Sequence, residues 1–148
     1  MSHAIDPRTM LHTYPHLTTL TTRYGDLDAD GLLSETGIAR YVEQARSRLM
    51  VEALQASGID LHAGPLGMLI ASIKLALICH RAPASEICLA TGVSRIGTSS
   101  IDLRVGIFSD DLCLAVAENV MVIIARDSGR PMPLPAMLRE KLQADACR

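Results

Sequence analysis

The densest group of reactive side chains lies in the segment GDLDADG, which runs from Gly25 to Gly31. Its three aspartates, Asp26, Asp28 and Asp30, are spaced two residues apart. An ionised carboxylate attacks a carbonyl carbon directly, or it removes a proton from a water molecule that attacks instead. Aspartate between glycines also binds backbone N–H groups in ordinary turns. The segment therefore predicts either a catalytic carboxylate or a tight turn.

A long helix is expected directly after this segment. Ser34 is suited to cap its first turn, and Gly58 is suited to end it. Apolar residues at helical spacing form one stripe, which comprises Ile38, Tyr41, Val42, Ala45, Leu49 and Leu54. The opposite face is expected to carry Arg40, Glu43, Arg46 and Glu52. Glu43 is expected to form an ion pair with Arg46 or Arg40, because residues three or four apart are neighbours on a helix.

The start of this helix supplies hydrogen-bond donors near the aspartates. The first N–H groups of a helix have no partner within the helix, and they carry the positive end of its dipole. They are therefore suited to bind the oxyanion that forms when a carbonyl is attacked. The candidates are the backbone N–H groups of Ser34, Glu35 and Thr36.

One strand is expected before the aspartates, at residues 17–24, and four more follow the helix. These four span residues 67–79, 86–95, 99–108 and 112–126. In the third, apolar residues alternate with polar or small ones, which is typical of a strand with one buried face. Short connections favour antiparallel neighbours. With a final helix at residues 136–144, this order predicts an α+β fold in which one curved sheet wraps around one long helix.

The composition bounds the class of protein. The chain has 148 residues, of which 49% are hydrophobic and 20% charged, and this fits one domain with a substantial core. We expect a lead-in at residues 1–16 and a single domain at residues 17–148. The net charge of −2 and the lack of a basic, aromatic platform argue against a nucleic-acid partner.

The compartment is predicted from what the sequence lacks. No apolar stretch reaches the ~20 residues of a membrane span, and no signal peptide is recognisable. The four cysteines have no CxxC spacing, and neither they nor the five histidines suggest a metal site. His62 and His80 are interpreted as ordinary loop or surface residues. These observations predict a reduced, cytoplasmic environment.

Three motifs in register resemble the hotdog domain of 4-hydroxybenzoyl-CoA thioesterase-like and Tol-Pal-associated acyl-CoA thioesterase-like proteins. The run from Tyr24 to Gly31 resembles the aspartate motif that opens this domain. Tyr41, Glu43, Ala45 and Arg46 are similar to its aromatic-x-Glu-x-Ala-Arg helix segment, and residues 126–135 look like its closing strand and tail. The resemblance spans residues 17–142. It implies a hotdog fold, with a five-stranded antiparallel sheet wrapped around one long central helix.

The resemblance also implies a thioester hydrolase that acts on an acyl-CoA or an acyl carrier. Asp28 matches the catalytic position, as nucleophile or general base, and the hydroxyl of Tyr24 would orient it unless Tyr24 is a half-buried strand residue. Asp26 matches a structural aspartate that binds backbone N–H groups. Water would be the second substrate, and no cofactor or metal is required. An aliphatic or medium-sized acyl group is expected, and Gly37 would leave space for it or is simply a tolerated helix glycine.

The sequence departs from the family pattern at four positions. Leu32 and Leu33 follow Gly31 where many members carry His and Asn, and Ile38 takes the place of a Tyr. Glu35 stands where Tol-Pal-associated members carry a His. Glu35 is thus a second carboxylate near Asp28, or a general acid–base partner is missing. The alternative function is a non-catalytic hotdog protein that binds acyl thioesters or an acyl-carrier partner.

The resemblance further implies where CoA binds and how the chain assembles. Phosphate groups need cationic contacts at the mouth of the pocket. The candidates lie at the turn where the family approaches CoA and in the tail: Arg95, Gly97, Thr98, Ser99 and Arg130, with Arg126 and Lys74 as further options. Active sites between two subunits imply a homodimer or a dimer of dimers. Pairing of two sheets edge to edge would also cover an exposed strand edge.

Overall fold

The computed structural model describes residues 4–148, which form a five-stranded antiparallel sheet and two α-helices. The strands are β1 (His16–Thr21), β2 (Leu66–Leu77), β3 (Glu86–Ile96), β4 (Ser100–Ser109) and β5 (Leu112–Ala125). The helices are α1 (Glu35–Ala56) and α2 (Ala136–Ala144). The predicted α+β architecture is confirmed, and the predicted elements differ from the observed ones by a few residues at their ends.

The order of the strands in the sheet is β1-β3-β4-β5-β2. Short turns join β3, β4 and β5, so these three strands are consecutive antiparallel neighbours at the centre of the sheet. The connection that contains α1 carries the chain from β1 at one edge to β2 at the other. Both strands that flank α1 in the sequence therefore lie at the edges of the sheet.

Helix α1 packs its apolar stripe against one face of the sheet. All six residues of the predicted stripe are buried. The first four pack in one cluster with inward-facing strand residues such as Leu89, Val105 and Ile107. Leu49 and Leu54 pack in a second cluster with Ile101 and Leu103. The Oγ atom of Ser34 accepts a hydrogen bond of 3.0 Å from the Gly37 N–H, and Gly58 has a φ of +69° just after the helix. Both predicted ends of the helix are confirmed.

The segment before β1 covers part of the opposite face of the sheet. The ring of Tyr14 lies edge-on to Phe108, with 6.0 Å between the ring centroids. The Tyr14 hydroxyl donates a hydrogen bond of 2.7 Å to the carbonyl oxygen of Arg8. The division at residue 16 stays a prediction, and residues 1–3 of the predicted lead-in lie outside the described residues.

Arg46 was expected on the solvent face of α1, and this expectation is wrong. The side chain is only 4% exposed, and its Nη1 donates a hydrogen bond of 3.1 Å to Oδ1 of Asn119 on β5. Burial lowers the pKa of Arg46, and the negative charge of Glu43 opposes this effect. Within residues 4–148, no ion pair joins Glu43 to Arg46 or Arg40, and the Asn119 amide nitrogen has no acceptor.

Two further findings concern the compartment. Neither helix of the described chain has the length and hydropathy that a membrane span requires. The four cysteines are free thiols, and burial raises the pKa of Cys113 to about 11. The cytoplasmic location stays a prediction.

The Arg46–Asn119 contact yields a first prediction. Replacing Asn119 with Leu leaves a buried guanidinium without its acceptor, and we expect the free energy of unfolding to fall by about 3 kcal/mol. The double variant Arg46→Met with Asn119→Leu removes the buried charge as well and recovers most of this loss. Urea denaturation at matched protein concentration measures both. A double variant as unstable as Asn119→Leu alone would contradict this account.

Candidate functional site

Asp26 anchors the loop that joins β1 to α1. Its side chain is 1% exposed and accepts hydrogen bonds of 2.8 and 3.1 Å from Arg23 and of 2.7 Å from the Tyr41 hydroxyl. The Arg23 bond lowers the pKa of Asp26 most strongly, and Tyr41 also lowers it. Burial, followed by the Asp26 contact, raises the pKa of Tyr41 to about 12. Asp26 therefore has a structural role, as predicted. Its partners are the side chains of Arg23 and Tyr41, whereas backbone N–H groups were expected.

The backbone of Asp26 also lies against α1. Its carbonyl oxygen accepts a hydrogen bond of 2.9 Å from the Ser34 N–H. A methyl group on Gly37 would lie 2.5 Å from the same oxygen. A close approach of two backbones therefore requires glycine here. The space beside Gly37 is filled by Asp26, so it does not receive an acyl group.

Asp28 lies in the exposed part of the same loop. Its Oδ1 accepts hydrogen bonds of 2.9 Å from the Asp30 N–H and 3.0 Å from the Leu32 N–H. Among the described residues, Oδ2 has no hydrogen-bond partner. The side chain thus forms the Asx-type turn that its sequence context favours. One oxygen holds the turn, and the other is available to a substrate or to water.

The structure does not place the predicted catalytic partners of Asp28, which are Tyr24 and Glu35, in contact with it. Tyr24 is 94% exposed in a single 3₁₀ turn, so it is neither a half-buried strand residue nor bonded to Asp28. Glu35 is the first residue of α1 and is exposed. Within residues 4–148 no hydrogen bond joins Glu35 to Asp28.

Of the three predicted oxyanion donors, two remain. The Ser34 N–H is bonded to the carbonyl oxygen of Asp26 and is unavailable. The N–H groups of Glu35 and Thr36 have no partner among the described residues. They point outward from the positive end of α1, directly after the Asp28 loop. These two groups are the donors that an attacked carbonyl oxygen would meet.

A small cavity lies beside the Asp28 loop, between the start of α1 and the end of β2. Its apolar lining comprises Leu32, Leu33, Ile38, Leu77 and Leu114. Cys79, His80 and Arg81, from the loop after β2, complete the lining. The sequence interpretation treated His80 as an ordinary loop residue. Its position next to Leu32 depends on the pairing of β2 with β5, which no local signal in the sequence reveals.

The predicted CoA-binding turn is at the other end of the sheet. The Asp28 loop adjoins the end of β2 and the start of β5, whereas residues 97–99 join the end of β3 to the start of β4. The 10 residues of β4 separate these two ends. A strand of this length spans roughly 30 Å. Arg95, Gly97, Thr98, Ser99 and Arg130 are therefore not brought together with Asp28 within one chain.

The carbonyl groups of this turn are already bonded. Gly97 accepts a hydrogen bond of 2.7 Å from the Arg139 side chain, Thr98 one of 2.9 Å from the Leu134 N–H, and Ser99 one of 2.8 Å from the Ile123 N–H. Arg95 and Arg130 are exposed, so their side chains are available to an anion.

Arg126 and Lys74, the two further candidates for binding the CoA phosphates, differ in whether their side chains are already bonded. Arg126 donates from Nε to the Gly64 carbonyl oxygen at 3.1 Å and from Nη2 to that of Leu66 at 2.9 Å. Its guanidinium therefore holds the loop before β2. Lys74 on β2 is exposed.

Solved structures with the same architecture include proteins described as thioesterases. No protein-family model and no curated protein matches the sequence. A protein of Pseudomonas aeruginosa strain PAO1 superposes with a TM-score of 0.80 at 24% identity, over 93% of this chain and 96% of that one. A predicted thioesterase of Bacillus stearothermophilus gives 0.77 at 23% identity, over 89% and 96%. A thioesterase of Thermus thermophilus, solved with coenzyme A and Zn, gives 0.72 at 24%, over 89% and 94%.

These superpositions decide the fold. The chain has the hotdog fold. The five-stranded sheet packed on α1 matches the fold expected from the sequence motifs. At these identities the likeness establishes the architecture of this hotdog protein, and its chemistry rests on its own residues.

The contact between Gly37 and Asp26 yields a second prediction. Alanine favours an exposed helix over glycine by about 1 kcal/mol. At position 37, however, the added methyl group displaces the Asp26 loop, and we expect Gly37→Ala to lower the free energy of unfolding by about 1–3 kcal/mol. Ser47→Ala on the exposed face of α1 is the matched control and is expected to be neutral or slightly stabilising. Thermal melts of both variants measure the effect, and an unchanged melting temperature for Gly37→Ala would contradict it.

Proposed function

We propose that this hotdog protein hydrolyses the thioester of an acyl-CoA or an acyl carrier, with Asp28 as the reacting carboxylate. The observation that carries the proposal is the state of Asp28. Backbone N–H groups fix one of its oxygens, and the other is unpartnered among the described residues; a few residues further along, the loop leads into the two unpaired N–H groups at the start of α1. A fixed carboxylate next to free N–H donors supplies both the attack on a thioester carbonyl and the stabilisation of the resulting oxyanion.

The reaction has two routes through the same groups. In one, Oδ2 of Asp28 attacks the carbonyl carbon, and water then hydrolyses the mixed anhydride. In the other, Asp28 removes a proton from water, and the water oxygen attacks. In both routes the carbonyl oxygen becomes negative and binds the N–H groups of Glu35 and Thr36. The carbon–sulfur bond then breaks and releases the thiol. Neither route requires a metal or a cofactor.

The acyl group and the CoA moiety fit different parts of the molecule. The cavity beside the Asp28 loop has a volume of about 30 Å³ and is too small for an acyl chain, but the apolar side chains of Leu32, Leu33 and Ile38 around it offer a surface against which an aliphatic acyl group would lie. The Thermus thermophilus thioesterase with the same fold was solved with coenzyme A, which supports a CoA thioester as the substrate class. Exposed Arg95 and Arg130 would bind the CoA phosphates. A cytoplasmic location and the absence of a nucleic-acid partner remain part of this proposal.

The assembly that completes such a site is a homodimer formed through β2. This edge strand pairs only with β5, so one side of its backbone has no partner in the described sheet. It also exposes a run of apolar side chains, which comprises Leu69, Ile70, Ile73, Leu75 and Leu77. A long apolar edge of this kind is a template for pairing with another strand.

Antiparallel pairing of two β2 strands would also solve the separation seen in one chain. It places the 97–99 turn of one copy at the same end of the joined sheet as the Asp28 loop of the other. Arg95 from one subunit and Asp28 from the other would then serve one substrate. A dimer of dimers uses the same interface.

The second candidate function is a non-catalytic protein that binds acyl thioesters or an acyl-carrier partner. The observation that favours it is the turn formed by Asp28, because the hydrogen bonds from Asp30 and Leu32 give this side chain a structural role even without catalysis. The absence of a bonded tyrosine or second carboxylate at Asp28 among the described residues agrees with this alternative.

The third prediction separates these functions. Asp28→Asn keeps an oxygen that accepts the two N–H groups of the turn, so the loop is retained while the carboxylate is lost. We expect turnover of acyl-CoA thioesters to fall by about 10²- to 10⁴-fold. Thiol release from a panel of short, long and aromatic acyl-CoAs measures it.

The matched control is Asp30→Asn, in the same exposed loop, which is expected to retain the rate of the parent. If the parent releases no thiol from any acyl-CoA or acyl-carrier thioester yet binds them, the binding function is correct. If Asp28→Asn is as active as the parent, Asp28 is only a turn residue.

The fourth prediction concerns the dimer. Ile73 is 53% exposed on β2, and replacing it with Lys places a charge where the interface would desolvate it. We expect Ile73→Lys to sediment as a monomer at concentrations at which the parent is a dimer. Met137→Lys, at a similarly exposed apolar residue on α2, is the control and should remain dimeric. A monomeric parent in sedimentation velocity would overturn the proposed interface.

A further inference from the structure

His80 lines the cavity beside the Asp28 loop, and we propose that its imidazole protonates the sulfur atom that leaves during thioester hydrolysis. The inference rests on the proposed function, and it names the proton donor that the aspartate motif lacks. Members of the resembled family carry a histidine at one of two positions after the motif's glycine. This chain has Leu32 and Glu35 at those positions. A different element, the loop after β2, supplies one instead.

A short series of contacts connects His80 to Asp28. His80 and Leu32 line the same cavity. The Leu32 N–H donates a hydrogen bond of 3.0 Å to Oδ1 of Asp28, and its carbonyl oxygen accepts one of 2.8 Å from the Asp28 N–H. Leu32 is therefore both the wall of the cavity and the residue that holds the carboxylate. A thioester bound at Asp28 would therefore lie close to this wall.

The loop that carries His80 is held at both ends. The N–H groups of Ile78 and Cys79 donate to the Leu114 carbonyl oxygen at 2.9 and 3.2 Å. At the other end, the Ala84 N–H donates to Oγ of Ser109 at 2.8 Å, and the Ala84 carbonyl oxygen accepts from Thr22 at 2.8 Å. His80 follows Cys79 directly, so its backbone position is fixed while its side chain stays exposed.

The other ionisable groups around the cavity have different roles. Cys79 and Arg81 flank His80 on its own loop. Asp28, on the same loop as Leu32, and the exposed Glu35 at the first position of α1 are not among the residues that line the cavity. The β5 residue in the lining, Leu114, is apolar. A guanidinium such as that of Arg81 does not release its protons, and ionised carboxylates accept protons. A histidine side chain is therefore the group suited to protonate the leaving sulfur.

The proton balance closes without any other reactant. Asp28 attacks or activates water, and the tetrahedral intermediate expels the sulfur as the carbon–sulfur bond breaks. The His80 imidazolium gives its N–H proton to this sulfur and becomes neutral. The proton that water supplied, held by Asp28 or by the acid product, returns the imidazole to its charged form. The products are a carboxylate, a thiol and one proton released to solvent.

The fifth prediction uses the leaving group as its readout. We compare an alkyl thioester, acyl-CoA, with an aryl thioester of the same acyl group, whose thiolate leaves without protonation. We expect His80→Gln to lower kcat for acyl-CoA by about 10²-fold and to leave the aryl thioester nearly unaffected. A merely structural role would slow both substrates alike.

The matched control is His62→Gln, an exposed histidine that lines a separate cavity with Val51 and Leu54. It should keep the rate of the parent on both thioesters. Circular dichroism melts show that both variants fold. If the parent hydrolyses acyl-CoA but His80→Gln retains its rate, or loses both substrates equally, His80 is not the proton donor and the thioesterase proposal stands. If the parent hydrolyses no thioester, both proposals fail.

Discussion

The buried carboxylate of Asp26 is the constraint on which the candidate site depends. It joins three parts of the chain, since Arg23 precedes the loop, Tyr41 lies on α1, and the Asp26 carbonyl oxygen holds the Ser34 N–H at the helix start. Gly37 makes this approach possible because any side chain there would collide with Asp26. The position of Asp28 relative to the start of α1 follows from these contacts, although Asp26 itself has no part in the proposed reaction.

A second constraint comes from the direction of the strands. The antiparallel sheet places the Asp28 loop and the cavity with His80 at one end, and the 97–99 turn with Arg95 at the other. A single chain of this fold therefore separates the groups suited to acyl chemistry from those suited to phosphate binding. The exposed apolar strand β2 offers the means of joining them, because pairing of two copies reverses one sheet relative to the other. Catalysis and assembly are in this way expected to depend on the same strand.

Local patterns predicted the architecture well because they report burial directly. The apolar stripe from Ile38 to Leu54 indicates which side of α1 faces the core, and the alternation in β4 does the same for that strand. All six stripe residues are indeed buried. Arg46 was misplaced because its helical position lies at the border of the two faces. The long side chain extends under the helix to Asn119 on β5, which is 73 residues away in the sequence. Tyr24 was misplaced because the strand it was assigned to ends at Thr21.

The sequence by itself determined the order of elements, the cap and end of α1 and the turn that contains Asp28, because propensity, periodicity and turn chemistry act between near neighbours. The hotdog fold was implied by the resemblance of its motifs to a known family. The tertiary structure alone decided which N–H groups remain free, why residue 37 is glycine, and that His80 lies beside the Asp28 loop. It also decided that the candidate CoA-binding residues lie at the far end of the sheet. Each of these depends on strand register and on backbone contacts between distant segments, and such contacts leave no periodic signal in the residues that make them.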